Sequence, residues 1–347
     1  MPIVDKTDND QFQILALSGG GYRGLYTAQL IALIEDHTGE LFGSHFDLIC
    51  GTSIGGILAL ALATREISAK TMVDKLQDIG STLFHPIQSP SHFNLIDKKI
   101  WNSTRLTRKR GIFNAKHDNV PLQEALEDMF KDLRIKDLKT RALIPTVNWT
   151  KGGPQFFKTP HHLSFTQDST KRLVDVAMAT SAAPIYLPNY CFDNKIYVDG
   201  GLVGNAPGMF GVHETETFII PEEQVDMRLL SMGALSSQNT ANQSDPLSKG
   251  IAQWKDGLFD LMVACQEQTA NYMLAQKLGS NYYMIDELLS KNHDKVVALD
   301  NASKAATETL LGIAENTFQS EIAQKDLQNF LIHHAPDIDF KHLENAA

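Results

Sequence analysis

The sequence predicts an α/β fold with a mostly parallel central sheet and helices on both of its faces. Two observations carry this prediction. Twice within the first 65 residues, an apolar run leads into glycines and then into a segment with helical spacing of apolar residues. Strand, glycine turn and helix in repeated order is typical of a parallel sheet. The chain also has 347 residues, 43% of them hydrophobic, which is enough for a sizeable core.

The first elements are well marked. We expect strands at residues 12–17 and 46–50 and helices at 25–36, 54–64 and 69–83. Sites in parallel sheets lie at the carboxyl ends of the strands. If the first two strands are neighbours, the glycine turns that follow them therefore share one edge of the sheet.

Later segments are less regular. Residues 85–94 contain two prolines and are expected to form a loop. The remaining predictions are helices at 121–130 and 173–180, strands at 142–148, 155–158, 196–198 and 227–232, and mostly helical segments at 251–278 and 302–332.

Charge and composition exclude several classes of protein. The net charge of −10 argues against a nucleic acid polymer as partner, and any anionic ligand would need a local basic patch. Cys50, Cys191 and Cys265 are far apart and odd in number, and the first two lie in apolar surroundings. We expect buried free thiols rather than disulfides, and no metal site.

The N-terminal residues and the length of the apolar stretches indicate where in the cell the protein acts. Residues 1–11 are polar and acidic, unlike a signal peptide, and the longest apolar stretches are near ten residues, about half a membrane span. We expect a soluble cytoplasmic protein that acts at the inner face of the membrane through a peripheral contact.

Ser53 is the strongest candidate nucleophile. It lies in a G-x-S-x-G motif between Gly51 and Gly55, directly after the second strand and before an apolar helix. In a nucleophile elbow the serine occupies a sharp strand-to-helix turn that only glycine neighbours permit. The positive end of the following helix dipole also points at the reacting centre. A chance match of this motif in a loop is the competing explanation.

A glycine-rich turn follows the first strand at residues 19–24 (GGGYRG). Successive backbone N–H groups in such a turn form an anion site, and a basic side chain adds positive charge, so the turn could serve as an oxyanion hole. The same residues match the G-x-G-x-x-G dinucleotide fingerprint, but the next strand lacks the acidic residue that an NAD-binding Rossmann protein needs. A plain tight turn is the third alternative. The oxyanion-hole candidates are Gly19, Gly20, Gly21, Arg23 and Gly24.

The sequence offers two kinds of base for Ser53. A Ser-His-Asp triad would need a histidine after the acid, and His213 is the best placed, although its surroundings do not distinguish it. A Ser-Asp dyad would use one carboxylate directly. Asp199 suits the dyad because it ends a short strand and precedes two glycines. It would equally suit a simple turn.

These motifs together closely resemble the patatin-like phospholipases. The resemblance covers about residues 12–210 and rests on four blocks in the family's order: residues 19–24, 51–56, 181–184 and 199–207. It implies a three-layer α/β/α sandwich and a Ser-Asp dyad of Ser53 and Asp199. It also implies hydrolysis of fatty-acyl esters of membrane glycerophospholipids without a cofactor or metal.

The resemblance divides the chain at residue 215. We expect a patatin-like catalytic core at residues 10–215. We expect residues 216–347 to form the remainder of the same domain, to be mostly helical, and to be a candidate for gating or homo-oligomerisation.

A narrower resemblance is to bacterial cytosolic members of the family. Among them are phospholipases that a cyclic dinucleotide, cyclic GMP-AMP (cGAMP), activates in anti-phage defence systems. A basic segment at residues 98–116 could contact an anionic ligand or lipid through Arg108, Lys109 and Arg110, or it could be a solvated surface. A constitutive lysophospholipase or acyl hydrolase without nucleotide control is the main alternative, and a catalytically inactive membrane-binding module is another.

Overall fold

A computed structural model describes residues 11–84, 115–220, 225–236, 248, 257–289 and 296–341 of the chain. Eight strands form one mixed, mostly parallel sheet in the order β5-β6-β3-β2-β1-β7-β8, with β4 paired to β3 outside this path. The strands are β1 (Gln11–Leu17), β2 (Leu48–Gly51), β3 (Arg141–Asn148), β4 (Gly153–Lys158), β5 (Tyr190–Phe192), β6 (Lys195–Val198), β7 (Asp226–Met232) and β8 (Tyr282–Ile285).

Helices cover both faces of this sheet. They are α1 (Gly24–Thr38), α2 (Ile54–Thr64), α3 (Ala69–Leu83), α4 (Val120–Phe130), α5 (Leu173–Thr180), α6 (Gly201–Gly204), α7 (Gly208–Glu214), α8 (Gly257–Leu278), α9 (Lys304–Glu321) and α10 (Lys325–Ile332).

The alternation of side chains along β1 separates two apolar cores. Leu15 and Leu17 pack into the larger core, which α1, α2, α3 and α9 cover. Ile14 and Ala16 point to the other face and pack with residues of α7 and α8, including Val212 and Leu274. Because successive residues of a strand face opposite sides, one apolar strand can be buried on both faces. The result is the three-layer α/β/α arrangement that the sequence predicts.

Strands β1 and β2 are parallel neighbours, with Leu17 opposite Gly51 at their carboxyl ends. The two glycine turns therefore share one edge of the sheet, as expected. On the other side of β1, strand β7 pairs in parallel along its whole length, and β8 pairs with β7. Residues beyond position 215 thus complete the central sheet.

Several predicted elements coincide with the observed ones. Helices α2, α3 and α5 have the predicted bounds, and β1, β2, β3 and β7 agree to within two residues. Strands β5 and β8 are not predicted from the sequence. Both are edge strands of three or four residues, and they gain their order from pairing rather than from a long apolar run. The loop predicted at residues 85–94 lies outside the described residues.

The prediction for the cysteines is only partly right. All three are free, and Cys50 is buried, but Cys191 and Cys265 are exposed. Cys191 is the central residue of the edge strand β5, whose flanking Tyr190 and Phe192 pack against the larger core. The alternation of a strand turns the residue between them outward.

Candidate active site

Ser53 occupies the sharp turn between β2 and α2. Its backbone has φ 55° and ψ −126°, a conformation that residues with a side chain rarely adopt and that costs about 1–3 kcal/mol. The Ser53 N–H donates to Thr180 Oγ1 at 3.0 Å, and its carbonyl oxygen accepts from Gly56 and Ile57 in the first turn of α2. The strained turn is thus fixed on both sides, and it directs the hydroxyl out of the sheet edge.

The glycines of the G-x-S-x-G motif are required by close packing. A Cβ on Gly51 would lie 2.1 Å from the carbonyl oxygen of Gly55, and one on Gly55 would lie 2.3 Å from the carbonyl oxygen of Leu17. Both neighbours are backbone atoms that cannot move aside. The motif therefore has the close contacts between strand, turn and helix that a nucleophile elbow requires.

Asp199 follows β6 and lies beside Ser53. The Ser53 hydroxyl donates to Asp199 Oδ2 at 2.7 Å, and the Gly201 N–H donates to Asp199 Oδ1 at 2.7 Å. The end of α5 holds this turn in place, since the backbone N–H of Asp199 donates to Ala182 and that of Gly200 to Thr180. Within the block at residues 181–184, Ala182 thus helps to position the Asp199 carboxylate through its backbone oxygen.

The Asp199 carboxylate is almost completely buried. Burial raises its pKa to about 6, and the hydrogen bonds from Gly201 and Ser53 oppose that rise. The carboxylate is therefore still ionised at neutral pH, while its affinity for a proton is well above that of an exposed aspartate. Such a group is suited to accept the proton of a serine hydroxyl.

The glycine-rich turn lies at the end of β1 next to Ser53. Its backbone N–H groups fall into two sets. Those of Gly19, Arg23 and Gly24 are bonded to other backbone oxygens, Gly19 to Asn205 at 3.1 Å and Arg23 to Gly20 at 3.1 Å. Those of Gly20 and Gly21 donate to no other residue in the described ranges.

Two further features of this turn involve side-chain space and charge. Gly21 has φ +56° and touches the carbonyl oxygen of Leu299, so that a Cβ there would lie 2.4 Å from that oxygen. The Arg23 guanidinium donates to the carbonyl oxygen of Leu235 at 2.9 Å and lines the same cleft as Ser53. Gly24 allows α1 to approach Ile54, because a Cβ would lie 2.2 Å from its side chain.

A cleft of about 340 Å³ opens above Ser53 and Asp199. Its polar end contains the glycine turn, Asn205 and Glu267. Apolar side chains from α2, α3, α4 and the loops that face them line another part of it: Ile54, Ile57, Leu76, Ile79, Leu83, Leu122, Leu187 and Val297. Polar side chains of α8, among them Asp260, Gln268 and Asn271, also line the cleft. The Ser53 hydroxyl therefore lies where the polar end meets the apolar chamber that these aliphatic side chains form.

Asn205 and Glu267 also lie at the site; Asn205 belongs to the block at residues 199–207 but has no role assigned from the sequence, and Glu267 lies outside every motif. Asn205 accepts the Gly19 N–H with its backbone oxygen, and its side-chain amide donates to the Gly19 carbonyl at 2.9 Å. The same amide donates to Glu267 Oε1 at 2.6 Å. Burial raises the pKa of Glu267 to about 7. Glu267 comes from α8, more than 200 positions from the glycine turn, so no local pattern could reveal it.

No histidine lines the cleft among the described residues. His213 lies exposed on α7, where its ring contacts Phe218, and His333 is buried in a pair with Asp47. The triad alternative therefore finds no support in the described part of the chain. Arg108, Lys109 and Arg110 lie outside the described residues.

The amino-acid sequence matches the model of a known protein family. The family model "Patatin-like phospholipase" matches residues 15–209, more than half of the chain. The chain belongs to the patatin-like phospholipase family. Its fold is thus the predicted patatin fold, and it is a serine hydrolase of the phospholipase type. The NAD-binding Rossmann alternative is excluded with it.

Individual relatives of this patatin-like phospholipase are also known. It is 42% identical over 335 residues to a cGAMP-activated phospholipase of Pseudomonas aeruginosa, an alignment that covers 96% of each chain. It is 35% identical to a cGAMP-activated phospholipase of Vibrio cholerae, with 87% of this chain and 88% of the relative covered. Human GIVD cytosolic phospholipase A2 gives a TM-score of 0.42 at 10% identity, over 96% of this chain and 64% of that one.

Within the ranges that the structure describes, no helix of the patatin-like phospholipase is both long and apolar enough to cross a bilayer.

Proposed function

We propose that the chain hydrolyses fatty-acyl esters of membrane glycerophospholipids through a Ser53–Asp199 dyad, and that cGAMP activates it. The observation that carries the proposal is the 2.7 Å hydrogen bond from the Ser53 hydroxyl to the buried Asp199 carboxylate at the floor of an apolar cleft. A nucleophile and a base within hydrogen-bond reach are what acyl transfer requires.

In the first half of the reaction, Asp199 accepts the Ser53 proton as the serine oxygen attacks the ester carbonyl. The tetrahedral intermediate collapses to an acyl-serine, and Asp199 returns the proton to the departing lysolipid oxygen. In the second half, Asp199 takes a proton from water, whose oxygen attacks the acyl-serine. The fatty acid leaves, and the proton returns to Ser53. No step uses a cofactor or metal.

The oxyanion of each intermediate would be held by the backbone N–H groups of Gly20 and Gly21. These are the two donors of the turn that are not committed to another described residue, while those of Gly19 and Gly24 already bond elsewhere. We assign Gly19 and Gly24 to shaping the turn and Arg23 to supplying positive charge beside it. Donors fixed in advance at the developing charge are usually a large contribution to catalysis.

The apolar chamber supports a long acyl chain as the group that binds next to Ser53. Burying a methylene group is worth about 0.8 kcal/mol, so an apolar chamber binds a fatty-acyl chain in preference to a short ester. A phospholipid would have to leave the bilayer in part to reach the cleft. We therefore propose a peripheral contact with the inner face of the membrane.

Activation by cGAMP is supported by the relatives. Three relatives between 34% and 42% identical over most of this chain carry the name cGAMP-activated phospholipase. We propose the same control here, and with it a role as a membrane-degrading effector in anti-phage defence. Arg108, Lys109 and Arg110 remain candidates for the contact with the nucleotide phosphates or with anionic lipid.

Fatty-acid release from phospholipid vesicles tests the proposal. Wild type, Ser53→Ala and the matched surface variant Ser320→Ala would each be assayed with and without 3′,3′-cyclic GMP-AMP. We expect release by wild type and Ser320→Ala only with nucleotide, and none by Ser53→Ala. Release without nucleotide would reject activation and favour a constitutive acyl hydrolase. Full release by Ser53→Ala would reject the dyad.

The basic segment is tested separately by charge reversal of Arg108, Lys109 and Arg110 to glutamate. Loss of vesicle binding with nucleotide binding intact would assign the segment to lipid. Loss of nucleotide binding would assign it to the activator, and no change in either would leave it a solvated surface.

A further inference from the structure

Three metal-ligating side chains converge at the end of the sheet opposite Ser53. Glu40 follows α1, His45 lies in a short turn before β2, and His334 follows α10. Their ligand atoms all lie within 4.8 Å of one another. Nε2 of His334 is 2.8 Å from Glu40 Oε2, and Nε2 of His45 is 3.5 Å from the same oxygen.

The hydrogen bonds at the far side of each ring fix its tautomer. Nδ1 of His45 faces the His333 carbonyl oxygen at 2.9 Å, and Nδ1 of His334 faces the Ile332 carbonyl oxygen at 3.1 Å. A carbonyl oxygen only accepts, so each Nδ1 carries a proton. In a neutral ring, Nε2 then has a free lone pair, and both lone pairs point toward the Glu40 carboxylate.

A proton on the exposed His334 would satisfy its contact with Glu40 but would leave Nε2 of His45 without a partner in the described part of the chain, whereas one metal ion would satisfy all three groups. His45 is completely buried, its Nε2 included. That nitrogen has no hydrogen-bond partner among the described residues. A buried nitrogen lone pair facing a carboxylate at 3.5 Å is both unsatisfied and repelled.

We propose that Glu40, His45 and His334 bind one Zn²⁺ ion. Two imidazole nitrogens and one carboxylate oxygen are ligands that zinc prefers, and a histidine ligand usually donates its other N–H to a backbone carbonyl or a carboxylate. Ligands about 2.0–2.2 Å from a tetrahedral ion lie about 3.4 Å apart, so small side-chain rotations suffice. Glu40 and His334 are exposed, which leaves the fourth position to water.

The place of the cluster in the fold gives the ion a structural function. It would join the segment after α1 to the segment after α10, which are 294 positions apart in the chain. The same seam is held by the His333–Asp47 pair at 2.8 Å and by the backbone bond from Ala335 to Ser44 at 2.8 Å. Zinc there would fasten the C-terminal segment to the sheet without touching the cleft. The large separation is also why sequence spacing predicts no metal site.

Zinc titration of the full chain without a histidine tag tests the proposal. Exposed thiols also bind zinc, so the measurement would use a background with Cys191→Ser and Cys265→Ser. Calorimetry in a non-chelating buffer gives the stoichiometry and Kd, and X-ray absorption gives the ligand distances. We expect one ion per chain with metal–nitrogen distances of about 2.0 Å, and a rise in Tm.

The decisive variants are His334→Ala and Glu40→Gln, because both side chains are exposed and their loss leaves the core intact. Each should weaken zinc binding at least tenfold and abolish the rise in Tm. His213→Ala, which removes an exposed histidine elsewhere, should change neither. The proposal would be overturned if the parent protein did not bind zinc, or if His334→Ala and Glu40→Gln bound it unchanged. His334 and Glu40 would then form a simple ion pair.

Discussion

Replacing Asp199 with asparagine should abolish activity and, at neutral pH, stabilise the fold. Asparagine has nearly the same shape, and its side-chain oxygen can still accept the Gly201 N–H. Its amide group can donate to the Ser53 hydroxyl, which reverses the present bond. The main change is therefore the loss of a buried negative charge.

The size of the expected change in stability follows from the pKa of the Asp199 carboxyl. Burial raises the pKa of Asp199 from 3.8 to about 6, so the folded chain holds this proton more tightly than the unfolded chain. Stability from the bound proton is fully present below about pH 4 and is lost as the pH rises through about 6. At about 1.4 kcal/mol per pH unit, the buried charge costs wild type about 3 kcal/mol at pH 8. With about 2 cal/mol/K of unfolding entropy per residue, that corresponds to roughly 4 °C in Tm for this chain.

Thermal unfolding of wild type and Asp199→Asn at pH 4, 6 and 8 measures this directly. The variant should melt higher at pH 8, and its advantage should shrink toward zero as the pH falls to 4. Asp36→Asn, at an exposed position on α1, is the matched control and should show no such trend. If Asp199→Asn were less stable than wild type at pH 8, or if the difference did not depend on pH, the reasoning from burial would be refuted.

Three further predictions follow from the same geometry. Since Asp199 must be ionised to accept a proton, kcat/KM should fall about tenfold per pH unit below about pH 6. A value of kcat/KM that does not change between pH 5 and 7 would contradict the role of Asp199 as base. Gly55→Ala should lower Tm strongly or prevent folding, because its Cβ would lie 2.3 Å from a backbone oxygen, whereas Gly153→Ala, whose Cβ meets nothing within 4 Å, should be nearly neutral. Glu267→Gln keeps an acceptor for the Asn205 amide and should keep kcat within about twofold of wild type. Glu267→Leu removes that acceptor and should lower kcat about five- to tenfold with Tm little changed. Equal kcat in the two variants would show that Glu267 does not contribute to the site.

Much of the fold could be predicted from the sequence because its signals are local. The apolar runs of β1 and β2 and the glycine turns after them identify a parallel sheet and the edge where Ser53 lies. The motifs also drew attention to Asp199, since a short strand followed by two glycines suggests a sharp turn. Its distance from Ser53 depends on the pairing of β6 with β3 and on the end of α5, which no local pattern encodes.

The features that sequence could not reveal depend on distant contacts. Glu267 reaches Asn205, beside the glycine turn, only because α8 packs across the face of the sheet, and the Gly19 amide is occupied only because Asn205 lies next to it in three dimensions. The short strand β8 forms because β7 offers it a free edge. The role of residues 216–347 in gating or oligomerisation stays a prediction.

Covalent labelling of the nucleophile distinguishes a Ser53–Asp199 dyad from any other catalytic arrangement. Wild type, Ser53→Ala and Asp199→Asn would be treated with a long-chain alkyl fluorophosphonate in the presence of cGAMP, and the modified residue would be located by peptide mass spectrometry. We expect one adduct per chain, on Ser53, with labelling of Asp199→Asn slowed at least a hundredfold. An adduct on another residue, or equal labelling rates in wild type and Asp199→Asn, would contradict the Ser53–Asp199 dyad.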